Sequence, residues 1–514
     1  MRDVSVLCGV LAIWAAGGQV QSAAGAGHDA ERPNIVFMMS DDQAWNGLSV
    51  PMHPELLWSR SRVVETPHLE QLAAEGMRFS AAYAPASVCS PTRISLQTGK
   101  SPAAMHWTKA APAVRGQKLL EPQNIRQLPA SELTIGEILQ RAGYATAHYG
   151  KWHIGGGGPA ANGYDDGDGD IGNEYAYEFV DPNPADIFGM AERAAAFMER
   201  SRESGKPFFI QLSWHALHAP ENALQETLRK YSEKLGAAPE ERRVTRAAIA
   251  ENLDTGVGRV LAAIDRLGLR ETTYVIYMSD NGSGGDGGGQ RGPGAGGGAG
   301  LAAGRPGRPG LAGGKGSVWE GGIRSPFIIR GPGIEAGSWC HQRIVGYDLY
   351  PTFCEWAGLK DTQLPAGLEG GSIVSLLEDG QGAVQRVREE LVFHFPHYQS
   401  SDGPHSAIIL GDLKLLKFYE TGRVALFDLA EDLTEQRDMT ATRPRDAAQL
   451  ELLLHGYLLA VNAQMPEVNP GYDPNNVPAL RIGEGGRGPG AAPGRPGMRR
   501  RPGLPGSGRQ LFDE

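Results

Sequence analysis

Asn34-Ile35-Val36-Phe37-Met38-Met39-Ser40-Asp41-Asp42 is the stretch on which the reading of this chain turns. Its apolar run is too short for a helix and is bounded by polar residues, so it reads as a buried strand. It stops at two carboxylates. Tyr144 to Tyr149, Pro207 to Ser213 and Thr273 to Ser279 repeat the apolar pattern downstream. Helical segments lie between these strands. Thr66-Pro67 opens one through Leu69, Leu72 and Ala73, with Gly76 expected to close it. Thr134-Ile135-Gly136-Glu137 is a capping box whose helix ends at Gly143. Longer helical stretches run from Ile187 to about Ser201 and from about Val244 to Leu267, where Gly268 follows. Apolar strands alternating with helices predict an α/β fold, a mostly parallel central sheet flanked by helices.

The pattern changes after about residue 385. Leu391–Phe395, Ser406–Leu410, Leu413–Phe418 and Arg423–Phe427 are short strand-like runs separated by turns such as Gly411-Asp412, and a helix follows from about Pro444 to Ala463. This predicts a smaller C-terminal subdomain, an antiparallel sheet plus a helix, over residues 385–468, after an α/β domain at 32–384. Of the 514 residues, 41% are hydrophobic and 21% charged, ordinary globular values that exclude a wholly disordered chain, collagen or a coiled coil. The net charge of −10 offers no basic field for nucleic acid. Gly makes up 17 of the 33 residues in 282–314, which leaves too little apolar side chain for order, so a floppy insertion is expected there. The tail at 469–514 is rich in Gly, Pro and Arg and is expected to be disordered.

The chain starts Met1-Arg2, continues with an apolar run from Val4 to Ala16 and then with small residues, which reads as a signal peptide over 1–26. The run falls short of the roughly 20 residues that span a bilayer, and no later segment is apolar enough to do so. An exported, periplasmic or extracellular protein is expected. Of its four cysteines Cys8 leaves with the signal peptide, spacing does not establish whether Cys340 and Cys354 pair, and Cys89 is the odd thiol.

Ligands of open α/β sheets bind beyond the carboxyl ends of the strands. Three predicted strands end in polar sets there: Asp41-Asp42, His215 with His218, and Asp280-Asn281. An all-oxygen set of three acids and an amide suits a hard dication, Ca²⁺ or Mg²⁺. Pro91 and Gly99 bracket a short helix that puts Cys89 at its N-terminus and Arg93 one turn inside, a setting that attracts anions. His215 reads as a supporting residue. Trp45, Trp107 and Trp152 lie near these segments, where sugar stacking competes with the better-founded reading of core packing.

Cys89-Ser90-Pro91-Thr92-Arg93 with Gly99-Lys100 resembles the signature of the type I, formylglycine-dependent sulfatases, arylsulfatase-like members of the alkaline phosphatase superfamily. Gly143-Tyr144 through Gly150-Lys151-Trp152-His153 is similar to the second signature of that family. Asn34 to Asp42, Trp214 to Pro220, Tyr274 to Gly282, Gly313 to Arg324 and Gly411 to Leu429 resemble further blocks in family order, so the likeness covers roughly residues 32–465. Gln97 and Tyr149 depart from the usual residue types without touching catalytic chemistry.

The resemblance implies an alkaline phosphatase-like fold and one Ca²⁺ held by Asp41, Asp42, Asp280, Asn281 and the matured Cys89. It implies that a formylglycine-generating enzyme oxidises Cys89 to an aldehyde, whose hydrate attacks sulfur and later releases sulfate by collapsing back. Arg93 would orient the hydrate, Lys151 and Lys315 would clamp the sulfate, His218 would protonate the leaving oxygen, and His153 would take the proton from the second hydroxyl. Met105 to Thr108 and the acidic loop Gly163 to Asp170 look like sulfatases that act on sulfated glycans, so a sulfated carbohydrate is the expected substrate. The same acidic loop is a weak candidate for a second cation, since its spacing does not complete an EF-hand. The competing readings are a phosphodiester or phosphonate monoester hydrolase of the same superfamily, disfavoured by the Asp/Asn-only metal set, and a catalytically silent glycan-binding homologue, disfavoured by the intact Cys89, Arg93, Lys151, His153 and His218.

Overall fold

The structure, a computed structural model, describes residues 32–283 and 310–480. The expected signal peptide, residues 284–309 of the Gly-rich stretch and the tail beyond residue 480 lie outside the described residues. Asn34–Ser40 is a strand buried along its whole length. Val36 and Met38 face one core with Ile187, Val257 and Val260, while Ile35, Phe37 and Met39 face a second core with Ile94, Ile135 and Leu349. Both faces of this strand are therefore covered by helices, which is why its sequence is continuously apolar rather than alternating.

Among the described residues the central sheet has eight strands, in the order Ser338–Cys340, Met77–Phe79, Phe327–Arg330, Thr273–Ser279, Asn34–Ser40, Phe208–Ser213, Ala145–Gly150 and Asp166–Gly167. Pairing is parallel except on the two sides of Phe327–Arg330. Ser40 lies opposite Ser279, and Ser213 opposite both Met39 and Gly150, so four strands end at nearly one level. Backbone bonds continue past these ends: Asp41 N to Ala216 O at 2.8 Å, Asp280 N to Ser40 O at 3.0 Å and Lys151 N to Ser213 O at 2.8 Å. Asp41, Asp280, Lys151 and the His215 turn thus leave the sheet along one edge.

The helix Cys89–Thr98 is buried at all ten positions. Gly99 ends it in the left-handed region, φ +67°, with its N–H bonded to Ser95 O, the glycine-terminated helix end anticipated from sequence. Gln97 donates to Gln211 Oε1 at 2.9 Å and accepts from the Tyr164 hydroxyl at 3.0 Å. The unusual amide is thereby satisfied inside the core.

The C-terminal strands Leu391–Phe395, His405–Leu410, Leu413–Phe418 and Val424–Asp428 form an antiparallel sheet in that order. The helix Pro444–Ala460 covers one face through Leu450 and Leu454. The other face packs on Val318 and Trp319. Segment 313–320 is consequently held from two sides. Gly316 N donates to Ser87 O at 2.9 Å, Val318 N to His405 Nε2 at 3.0 Å and Glu320 N to Glu435 Oε2 at 2.8 Å. Lys414, fully buried, pairs with Glu320 at 2.9 Å and Glu435 at 2.8 Å. A Cβ at Gly322 would stand 1.9 Å from Ser317 O, so this turn has no room for a side chain.

Several expectations need correction. Gly282 and residues 310–314 are not floppy: Gly282 N bonds Gly322 O, Gly321 N bonds Ala312 O, and Ala312 is buried. Residues 469–480 are not a free tail. Asn469 N bonds Lys118 O at 3.1 Å and the Pro478 carbonyl accepts from Gln117 Nε2 at 2.9 Å, extending the pairing of Glu467–Val468 with Leu119–Leu120. Gly76 serves close approach rather than helix termination, since a Cβ there would lie 2.2 Å from Ile329 O and the helix closes at Glu75. Cys340 and Cys354 are buried free thiols, with burial pushing them up to about 11 and about 12 respectively.

Replacing Lys414 with Met would leave Glu320 and Glu435 facing each other in a dry interior. Denaturant unfolding should show a loss of about 3–5 kcal/mol; a loss below about 1 kcal/mol would show that the lysine does not hold segment 313–320.

Candidate active site

The level strand ends gather charge. Carboxylate oxygens of Asp41 and Asp280, both buried, and of the partly buried Asp42 lie within 4.8 Å of one another. Asn281 joins them, its Nδ2 donating to Asp42 Oδ1 at 2.8 Å. Three cations answer this charge. Lys151 Nζ donates to Asp41 Oδ2, Arg93 donates to Asp280 Oδ2 at 2.8 Å and reaches Asp41 Oδ2 at 3.5 Å, and Lys315 pairs with Asp42 at 2.7 Å. Arg93 also donates to the Lys151 carbonyl at 2.5 Å, tying the Cys89 helix to the second motif.

The electrostatics follow from this packing. Burial would push the Asp41 carboxyl up, but Lys151, His218, Arg93 and Lys315 together outweigh it and hold Asp41 well below the usual carboxylate range. Asp280 goes the other way, pushed up to about 7 by burial and by the adjacent Asp41. Like charges crowded out of water in this way are what a bound dication relieves. The donor set passes a test of fit. Asp41 Oδ1 and Asn281 Oδ1 are buried oxygens with no hydrogen-bond partner. Buried acceptors are rarely left unpaired, and oxygen atoms are what a hard cation takes.

Cys89 opens the helix beside this cluster, 3% exposed. Burial raises its thiol, but the fields of Lys151, Lys315 and His218 prevail and bring it below its ordinary value. His153 Nδ1 stands 3.6 Å from Cys89 Sγ and 3.2 Å from Ser90 Oγ, and Ser90 also donates to the His153 carbonyl at 2.9 Å. Burial, reinforced by Lys151 and Arg93, pushes His153 down to about 3, so the ring is neutral near pH 7. Asp42 and His153 both occupy the left-handed region, φ +60° and +61°, costly for non-glycine residues and concentrated at functional sites. His218 is half-buried; its Nδ1 faces Ala219 O at 2.9 Å.

Every catalytic and metal-ligating residue expected from sequence therefore lies in or beside this cluster. Ser90 and Arg246 join it without having been expected. Arg246 donates to the Asp42 carbonyl at 2.9 Å and to Ser283 Oγ at 3.2 Å; it sits on the helix Glu241–Arg266, which carries no local motif that could have flagged it. His215 is buried with neither ring nitrogen partnered. Trp45, Trp107 and Trp152 are buried as core residues. Three of the four acids of the 163–170 loop go to the scaffold instead of a second cation: Asp165 accepts from Thr146 and Gln140, Asp166 from Tyr149 and Arg200, and Asp168 from Gly150 N and Arg193. A cleft of about 660 Å³ is lined by Ser90, His153, Trp107, Arg115, Arg126 and Glu174 among others.

A family model described as Sulfatase matches residues 33–359, and one described as N-sulphoglucosamine sulphohydrolase, C-terminal, matches residues 314–464. The chain is 31% identical to human Arylsulfatase A over 409 residues, covering 72% of this chain and 71% of that protein. It is 26% identical to an Ulvan-active sulfatase of Formosa agariphila, covering 82% and 80%. Among solved structures, Ps i-CgsB in complex with k-i-k-neocarrahexaose superposes with a TM-score of 0.66 at 22% identity, covering 86% of this chain and 94% of that one. A structure in complex with D-glucosamine-2-N,6-O-disulfate gives a TM-score of 0.61 at 20% identity, covering 84% and 98%. Signature, fold and family models agree: the chain belongs to the sulfatase family, the sulfuric ester hydrolases.

Proposed function

We propose that this protein is an exported sulfatase that removes a sulfate ester from a sulfated carbohydrate, with Cys89 matured to formylglycine and one Ca²⁺ held by Asp41, Asp42, Asp280 and Asn281. The observation that carries the reading is the convergence on Cys89 of two lysines, a neutral histidine and an acid cluster with unpartnered oxygens. A relative named for ulvan, and structural neighbours solved in complex with k-i-k-neocarrahexaose and with D-glucosamine-2-N,6-O-disulfate, support a carbohydrate substrate.

A hydrate formed at a matured Cys89 would supply a hydroxyl nucleophile with a built-in release step, and a dication held by Asp41, Asp42, Asp280 and Asn281 would supply charge neutralisation and a more acidic hydroxyl. The chain's own residues do the rest. Lys151 and Lys315 present fixed positive charge to the sulfate oxygens as charge shifts in the transition state. Lys151, paired to Asp41, cannot swing away. Lys315 is held by Asp42 and by its clamped segment. His153 Nδ1, at hydrogen-bond reach of the position 89 side chain, is neutral and free to accept a proton there. His218 has one nitrogen engaged by a backbone carbonyl, which leaves Nε2 for the leaving oxygen. Arg93 fixes Asp280 and Asp41 relative to the helix that carries residue 89.

The decisive experiment is mass spectrometry of the protein from its native host together with sulfate release from sulfated sugars. A loss of about 18 Da at Cys89 with sulfate release is expected; an unmodified thiol in active protein would overturn the mechanism.

Metal binding should be visible without turnover. Adding Ca²⁺ at about a hundred times its Kd should stabilise the fold by about 2.7 kcal/mol, and Asn281→Ala should weaken that response. No thermal shift with Ca²⁺ would remove it from the site.

His218→Ala should slow hydrolysis of sugar sulfates by about 10²–10⁴, and that of nitrophenyl sulfate much less, because a nitrophenolate leaves without a proton. Equal losses on both substrates would rule His218 out as the proton donor.

A further inference from the structure

The cleft that Ser90 and His153 line is bordered by groups of both charges. Arg115 and Arg126, on segments either side of the short strand Leu119–Leu120, line it together with Asp170 and Glu174, and so do Ser90 and His153, whose Nδ1 stands 3.6 Å from Cys89 Sγ. Arg115 and Arg126 are exposed, and neither side chain takes part in any hydrogen bond or ion pair among the described residues. Most other arginines of the fold are committed: Arg93 to Asp280, Arg193 to Asp168 and Asp186, Arg386 to Asp348.

The loop bearing Arg115 is built at considerable cost. Its ends are joined by Lys109 and Glu121, which pair at 2.9 Å with 2% and 0% of their side chains exposed. Glu121 also takes His397 Nδ1 at 3.0 Å, Tyr398 N at 3.1 Å and Val114 N at 3.2 Å. Downstream of Arg115, Gln117 holds the Pro478 carbonyl and Leu119 N bonds the Tyr398 hydroxyl. A buried ion pair contributes little net stability. What this one does is fix the chain on both sides of Arg115 at the cleft mouth. Two unpaired guanidinium groups, the first on this fixed loop, that line one cleft with Ser90 and His153 form a receptor for an oxyanion.

The geometry points to Arg115 and Arg126 as a subsite for a second anionic group, a carboxylate or another sulfate, on the sugar next to the one that carries the scissile ester. The substrate is then a polyanionic glycan, such as one with alternating uronate or multiple sulfates, rather than a singly sulfated neutral chain. Asp170 and Glu174, which line the same cleft, accept hydroxyl protons of the same sugars and repel an anion placed beside them. This inference rests on the sulfatase reading, which it narrows.

The test measures binding to the full-length Cys89→Ala protein by calorimetry, so that no turnover intervenes. Three monosulfated or disulfated disaccharides are compared: a neutral neighbour, a uronate neighbour and a sulfated neighbour. The charged neighbours should bind about tenfold tighter than the neutral one, the scale of a charge-assisted hydrogen bond. Arg115→Ala with Arg126→Ala should abolish that preference, and the Arg→Lys pair should keep part of it, since charge survives while the planar fork does not. The arm that responds, uronate or sulfate, identifies the oxyanion. An undiminished preference in the double alanine variant, or no preference in the parent, overturns the subsite. Failure of the matured wild type to release sulfate from any ester, aryl sulfate included, would instead overturn the sulfatase reading, and the binding data would show which had failed.

Discussion

The contact between Lys151 and the Asp41 carboxylate, with Arg93 beside it, is the constraint on which the rest of the molecule depends. A cluster of acids placed in a dry interior is prohibitive alone. It becomes tolerable because cations arrive from three different parts of the chain, and each arrival fixes an element. Lys151 follows the Ala145–Gly150 strand, Arg93 sits on the Cys89–Thr98 helix, and Lys315 lies on the 313–320 segment. The parallel register brings the strand ends level; the charges then dictate that helix, strand and segment meet at one point. Cys89 is in the centre of this arrangement because Arg93 is one turn from it.

How much of this is legible in the chain depends on the range of the interaction. The strand Thr273–Ser279 is legible to the residue, because a short apolar run between a turn and Asp280 has few alternatives. The capping box at Thr134 is legible for the same local reason, and its bonds are present in both directions. Gly76 stands out in the sequence, but local pattern suggests the wrong reason for it: its conformation is ordinary, and what requires a glycine is the Ile329 carbonyl, which is 253 positions away in sequence.

The site divides along the same line. Acids just past strand ends are a pattern with a physical cause, so Asp41, Asp42, Asp280 and Asn281 can be gathered from the order of residues alone. Arg246 cannot, since it acts on the Asp42 backbone from a helix about two hundred residues on. Nor can the acidic 163–170 loop be distinguished from a cation site by its spacing, because what settles the matter is that Arg193 and Arg200 face it from a helix. Composition marks all of 282–314 as structureless. Gly282 and 310–314 are packed because backbone hydrogen bonds, which need no side chain, hold them to the turn at Gly321 and Gly322.

The clamp on 313–320 bears on the order in which the chain is made. Ser87 and Val88, next to the thiol, are covered by Gly316 and by the cluster that contains Val318 and Phe393, and His405 and Lys414 secure that cover. All of these residues emerge from the ribosome more than two hundred positions after Cys89. A nascent chain therefore presents residue 89 with its neighbourhood open for much of its synthesis, and closes it when the C-terminal sheet docks. On the Ser87 and Val88 side, access to this side chain ends with that docking, which ties it to the progress of folding.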